Sequence, residues 1–323
     1  MNTIFYCRIN NRFILGLLLL CMIGYGQEPV FAINSLKSSN NHLKYFGFAG
    51  VDCGLRDPHI GSGKTDFADE LSGFANIGQM CVYSPKDSIG KRVALFHHYG
   101  LKAVLDVEAL LFDRKSVTTR SRTELTLRLD AEKRWSAFAN LNKAALVPKY
   151  LAAIYIADEP AWNNMSLADF KRALKIVKKS LPDIPTMSIE AWKAIDHIMV
   201  PKELDWIGFD RYDSVDPAHD QKWLADLKAV TSARTRHGQK IVIVASTQWL
   251  PYYQKDANVR PEDMGRIAES YYHVAESQPG VIALVGYLWP GGLDGPSQLG
   301  ARDLPRNVQQ ILRKIGEQII LKR

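Results

Sequence analysis

Cysteine is scarce in this 323-residue chain: there are four, and none falls in a CxxC or Cys/His spacing, so a zinc or thiol-redox signature is missing. Basic residues exceed acidic ones only modestly, 41 against 34, and no Lys/Arg-rich block gathers the +7 excess into a nucleic-acid footprint. Downstream of the first 32 residues no apolar run approaches the roughly 20 residues that a membrane-spanning helix needs. The first predicted strand leads into GVDCGLRDPHIGSGKT, which lacks GxGxxG. Its Gly63-Lys64-Thr65 has Pro58 where a phosphate-binding loop needs glycine, so neither nucleotide-binding fingerprint is present and a doubly wound open sheet is only the runner-up fold. There is no internal repeat and no low-complexity tract.

What is present is an ordinary globular composition, 46% hydrophobic, 10% aromatic and 23% charged. Arg8 and Arg12 precede the apolar run Phe13 to Gly24, and Val30-Phe31-Ala32 supplies small residues before a cleavage point. Residues 1–32 therefore read as a signal peptide and the protein as exported, periplasmic or secreted, with no stable membrane insertion once the signal is gone. Cys21 follows Leu18-Leu19-Leu20, a poor context for lipidation. Cys7 and Cys21 leave with the signal. An oxidising compartment permits the remaining Cys53 and Cys81 to pair, with two buried free thiols as the equal alternative.

Residues 33–44 are a polar lead-in, and from there short β-branched or aromatic runs alternate with amphipathic ones. The strand candidates are Tyr45–Asp52, Asn76–Tyr83, Lys102–Glu108, Ala152–Asp158, Pro185–Glu190, Asp205–Asp210, Lys240–Ser246 and Val281–Trp289. Between them lie helical stretches such as Leu167 to Leu181, with Ser166 as N-cap. Alternation of buried strand and helix is the sequence form of parallel βαβ units. Eight units predict one (β/α)₈ barrel over residues 45–321, of α/β class, and one domain accounts for the length.

Active sites of such barrels lie at the C-terminal strand ends, so the polar residues closing each strand are the candidates. They are Asp52, Tyr83, Asp106 and Glu108, Asp158 and Glu159, Glu190, Asp210 and Tyr212, Gln248 and Trp249, Tyr287 and Trp289. Carboxylates supply general acid, base and nucleophile, and flat aromatic faces stack on sugar rings. No histidine closes a strand, which counts against His-led metal hydrolases. Nothing in the pattern calls for a cofactor or a resident metal ion.

The sharpest motif, Ala153-Ile154-Tyr155-Ile156-Ala157-Asp158-Glu159-Pro160, resembles the glycoside hydrolases built on (β/α)₈ barrels, many of which carry Asn-Glu-Pro or Asp-Glu-Pro at the end of the fourth strand. The resemblance implies a carbohydrate substrate and makes Glu159 the acid/base. Asp205 to Asp213, ending in Tyr212, and Tyr287-Leu288-Trp289-Pro290-Gly291-Gly292 are similar to the sixth- and eighth-strand ends of those barrels, which implies that Tyr212 and Trp289 line the sugar site. Asp52, Asp106, Glu108, Gln248, Trp249 and Tyr287 complete the expected substrate-binding set.

One departure stands out. The two-glutamate enzymes place their nucleophile at the end of the seventh strand, and this chain has Gln248 there, which cannot attack an anomeric carbon. Asp210 and Glu190 are the alternative second carboxylates. Asp158 is a third, in the manner of barrels where an Asp orients the acetamide of a 2-acetamido sugar beside the acid Glu. A barrel that binds sugar without hydrolysis, and one that uses Asp52, Asp106 and Glu108 to hold a divalent ion for phosphodiester cleavage, are the competing expectations.

Overall fold

The computed structural model describes residues 42–61, 63–116, 123–251 and 258–321. The expected signal peptide and Cys21 lie outside the described residues. Eight parallel strands close into a barrel: β1 (Tyr45–Asp52), β2 (Ile77–Cys81), β3 (Lys102–Asp106), β6 (Leu151–Asp158), β7 (Thr186–Ala191), β8 (Trp206–Asp210), β9 (Lys240–Ser246) and β10 (Val281–Tyr287), with β10 pairing back onto β1. Every predicted strand is present. Helices α1 (Gly90–His98), α3 (Ala131–Leu141), α4 (Leu167–Ser180), α5 (Gln221–Ser232), α6 (Met264–Ser277) and α7 (Arg306–Leu321) surround it. The Ser166 hydroxyl caps α4 by accepting from Asp169 N at 3.0 Å.

The sequence reading missed an insertion after the third barrel strand. Glu108–Leu111 forms a single helical turn (α2), and Phe112–Ser116 (β4) pairs antiparallel with Thr123–Leu127 (β5) as a separate two-stranded ribbon. Leu125 and Leu127 are buried while Glu124 and Thr126 are exposed, a period-two pattern too short to stand out between two helices. Three strands also stop sooner than predicted. The third ends at Asp106 because its Oδ1 accepts from Glu108 N at 3.0 Å and turns the chain, so Glu108 opens α2. The second ends at Cys81 and the eighth at Tyr287, leaving Tyr83 and Trp289 in loops.

Two apolar layers hold the barrel. The larger fills the space between the helices and the outside of the strands; the smaller fills the barrel itself, with Ile77, Val104, Tyr155, Met187, Val242 and Val285 pointing inward. Successive strand residues face opposite ways, so each inward residue lies two before the next inward one, and this parity decides which strand-end group reaches the mouth. Gly208 belongs to the inner wall: a Cβ there would stand 2.5 Å from Ile189 Cγ1.

Cys53 and Cys81 form a disulfide that ties the exit of β1 to the end of β2, with Cα atoms 4.6 Å apart. The bridge closes a loop of 28 residues, so Cys53→Ser is expected to lower unfolding free energy by ~3 kcal/mol. Denaturant unfolding of both forms under non-reducing conditions checks this; coincident transitions would show that the bridge contributes nothing.

Candidate active site

A cavity of about 410 Å³ opens at the C-terminal ends of the strands. Its wall carries Asp106, Glu108, Asp158, Glu159, Asp210 and Asp294 as carboxyl groups and Arg114 as the one guanidinium among the described residues, with Tyr155, Tyr212, Tyr287 and Gln248 between them.

Glu159 sits where the fourth barrel strand turns out of the sheet. Two adjacent strand residues would face opposite sides, yet Asp158 and Glu159 both line the cavity. The pairing register shifts between Tyr155 and Ala157, and Glu159 itself takes the left-handed conformation, φ 48°. Pro160 follows, and the turn is closed by Asn163 N to Glu159 O at 2.8 Å and Met165 N to Pro160 O at 2.9 Å. Burial pushes the Glu159 carboxyl up to about 9, with the charges of Asp210, Asp158 and Glu190 adding to it. Asp210, fully buried, is itself raised well above the usual carboxylate range by burial first and the Asp158 charge next. Both carboxyls are thus pushed toward their protonated forms.

Asp158 is half exposed and accepts from the Tyr155 hydroxyl at 2.5 Å. Its backbone N donates to Glu108 Oε2 at 2.8 Å. Glu108 is in turn clamped by Arg114, whose Nε and Nη2 reach Glu108 Oε1 at 3.0 and 2.8 Å. Asp106, deeper, accepts from Gln79 Nε2 at 3.0 Å and is lifted to about 7 by burial and the Glu108 charge. Across the mouth the Tyr212 and Tyr287 rings stack with centroids 5.2 Å apart; Tyr212 OH donates to Asp210 at 3.2 Å and Tyr287 OH to Asp294 at 3.0 Å.

Of the sequence candidates, Glu159, Asp158, Asp210, Asp106, Glu108, Tyr212, Gln248 and Tyr287 meet in this cavity. Five others do not line it. Tyr83 is exposed, its hydroxyl donating to Cys53 O at 2.5 Å. The pairing register of β1 shifts between Phe48 and Asp52, and Asp52 pairs with Arg92 Nε of α1 at 2.7 Å. Glu190 faces away, and its two oxygens accept from the backbone N of Ala161, Trp162 and Ala191 at 2.7, 3.1 and 3.2 Å. Despite those bonds burial raises its carboxyl to about 7. Trp249 follows inward Gln248 and donates its indole N–H to Val259 O at 2.9 Å. Trp289 is buried against Phe48 and Phe74, its Nε1 on Glu70 Oε2 at 2.7 Å. It is a core residue, not the floor of the cavity. Arg114, Gln79 and Asp294 were missed. Arg114 lies on the unrecognised ribbon, and Asp294 lies seven residues past the last strand, where no parity argument reaches.

Asp52 is turned away from Asp106 and Glu108, so those three acids do not converge as a cation site would require. Among the described residues the one trio of donors within 4.8 Å of each other is Asp57, His59 and Asp303, and there the Arg302 guanidinium already occupies Asp57 at 3.2 Å.

No family model and no curated protein matches the sequence. Solved structures do. A β-glucuronidase from an uncultured Clostridium sp. superposes with TM-score 0.60 at 14% identity, over 85% of this chain and 50% of that one. Xylanase 10B from Thermotoga petrophila RKU-1 gives 0.53 at 13% identity, over 92% and 100%. A GH113 β-1,4-mannanase gives 0.52 at 10% identity, over 87% and 100%. These likenesses establish the barrel fold.

Proposed function

We propose that the protein is an exported glycoside hydrolase that cleaves O-glycosidic bonds of a polysaccharide or glycoconjugate, with residues 45–321 as the catalytic barrel. The observation that carries this reading is Glu159: a half-buried carboxyl, pushed up to about 9 by desolvation and its acidic neighbours, held by a left-handed turn at the mouth of a cavity lined with carboxylates and tyrosines. A general acid must carry its proton at the working pH and face the leaving oxygen, and this environment supplies the first condition by desolvation and like charge. The Asp210 charge helps keep the proton on Glu159. The stacked Tyr212 and Tyr287 offer a flat wall for a sugar ring, and Asp106, Glu108 and Asp158 offer acceptors for its hydroxyls. Structural neighbours whose names describe glycan-cleaving enzymes support the reading, and the Cys53–Cys81 disulfide supports export, since such bridges persist in oxidising compartments.

The reading is tested by incubating the protein with a panel of neutral, acetamido and acidic glycans and measuring new reducing ends. Expected is turnover on at least one class, insensitive to chelation. Saturable glycan binding with no reducing ends would favour a binding barrel instead.

A further inference from the structure

The cavity is lopsided in charge. Six carboxyl groups line it, those of Asp106, Glu108, Asp158, Glu159, Asp210 and Asp294, against one guanidinium and no lysine or histidine among the described residues. That guanidinium is already committed. Arg114 gives Nε and Nη2 to Glu108 Oε1 at 3.0 and 2.8 Å, Nη2 again to Oε2 at 3.1 Å, and Nη1 to Thr123 Oγ1 at 2.9 Å. It balances Glu108 and leaves the other five acids with no cation in hydrogen-bond reach among the described residues.

Asp158 stands at the electrostatic centre of this group. Burial comes first in lifting Asp106, Glu108, Glu159 and Asp210 above the usual carboxylate range, and the Asp158 charge adds to each of them. The same charge, again after burial, raises the hydroxyls of Tyr155, Tyr212 and Tyr287. Groups at the third, fourth, sixth and eighth barrel strands therefore feel one carboxylate. Asp158 is also open, its side chain 49% exposed. Oδ1 takes the Tyr155 hydroxyl at 2.5 Å, while Oδ2 accepts no hydrogen bond among the described residues and lies 3.9 Å from Arg114 Nη2, beyond hydrogen-bond length.

Such a field sorts ligands by charge. A uronate or sulfate group would add negative charge to a wall whose single guanidinium is spent. A neutral hydroxyl finds acceptors there but leaves the mutual repulsion of the acids as it was. A divalent metal ion needs donors that converge. Among the described residues the one trio of His, Cys or carboxylate donors within 4.8 Å of each other is Asp57, His59 and Asp303, and none of these lines the cavity. A protonated amine meets each condition. It is positive, has three N–H donors and no acceptor, and needs only one or two carboxylates at hydrogen-bond distance while the remainder act through space.

We propose that the cavity selects a glycan bearing a free amino group, an amino sugar whose nitrogen carries no acetyl, and that Asp158 Oδ2 receives its ammonium. This names the substrate class and rests on the hydrolase reading, in which the cavity is a glycan site. The stacked Tyr212 and Tyr287 rings take the apolar face of the sugar, and the charge is met on the Asp158 side. An acetyl group on the nitrogen removes the charge and with it the selection.

The test is a calorimetric titration of the full chain, with Glu159→Gln as background so that turnover does not disturb the equilibrium. Length-matched oligomers of amino, N-acetylamino and plain hydroxyl sugars, in the gluco and galacto series, are titrated at about pH 6, where such amines are protonated. The amino oligomer of at least one series is expected to bind about tenfold or more tighter than its acetylated and hydroxyl counterparts, with the gap narrowing as salt rises. Asp158→Asn, equal in shape, should bring that ratio to within about threefold of unity, and Arg114→Gln should widen it. The ratio is read, not the absolute affinity, so a general loosening of the site cancels, and altered packing does not give opposite signs for the two variants. Amino oligomers that bind no better in either series overturn the proposal, as does an Asp158→Asn ratio equal to the background's. If the parent cleaves a neutral glycan and the amino preference is absent, only this inference falls. If the preference is present and the parent cleaves no glycan of any class, the hydrolase reading falls and the charge selection stands.

Discussion

Replacing Glu159 by glutamine lowers kcat on a cleavable glycan by about 10²- to 10⁴-fold, because the amide keeps the shape of the acid and has no proton to give. The same substitution leaves the fold intact and raises stability above neutral pH. The sign follows from the carboxyl being lifted from 4.5 to about 9 by burial and by its acidic neighbours. The folded chain then binds the proton more tightly than the unfolded chain, so its contribution is fully present below about pH 4.5 and is lost as pH rises toward 9. Glutamine removes that loss and sets an uncharged group near Asp210 instead of a second charge. Thermal unfolding of the two forms at pH 5 and pH 8.5 checks this: the variant should melt higher at 8.5, with the gap closing at 5. The parent's kcat/KM should fall on an alkaline limb near the same titration. Parental activity in Glu159→Gln would remove the acid assignment altogether.

Glu190→Ala is the second large effect, and it separates holding a site together from acting in it. The carboxylate touches no cavity space, yet it accepts from the backbone N–H groups of Ala161, Trp162 and Ala191, the first two belonging to the turn that carries Glu159. Deleting it leaves those donors without their acceptor and releases a left-handed residue that only its surroundings keep in place. Stability is expected to drop by about 3 kcal/mol, from a typical ~1–3 kcal/mol for each orphaned buried group discounted for water entry. kcat should drop by about 10- to 100-fold with KM nearly unchanged, since a small misplacement of the acid is enough to slow proton transfer. Glu190→Gln, which keeps one acceptor, should fall between. A lower melting temperature with parental kcat would reduce Glu190 to a stabilising residue.

Much of this architecture was legible because parallel strands buried on both faces read as near-continuous apolar runs. Runs such as Ile241 to Ala245 and Ala152 to Ala157 announce themselves by composition, and eight of them separated by amphipathic stretches admit few folds. The Asp-Glu-Pro turn was legible for the same reason, as polar punctuation after an apolar run. The side on which a strand-end residue emerges was harder to read. Glu190 and Trp249 close their strands just as Asp106 and Asp210 do, but their parity is outward, and register shifts break the rule before Asp52 in the first strand and before Asp158 and Glu159 in the fourth. Arg114 and Asp294 escaped because the segments bearing them are short and polar, so their contribution depends on where the barrel delivers them rather than on local pattern.

The ribbon of Phe112–Ser116 and Thr123–Leu127 forms a sheet with itself and no ladder with the barrel. It nevertheless supplies the one guanidinium that the described cavity wall contains. The cationic group at the cavity and the carboxyl groups of the barrel strands are thus carried by separable pieces of chain. Within the proposed reading, an altered ribbon could change the charge that meets a glycan while every barrel strand stayed as it is.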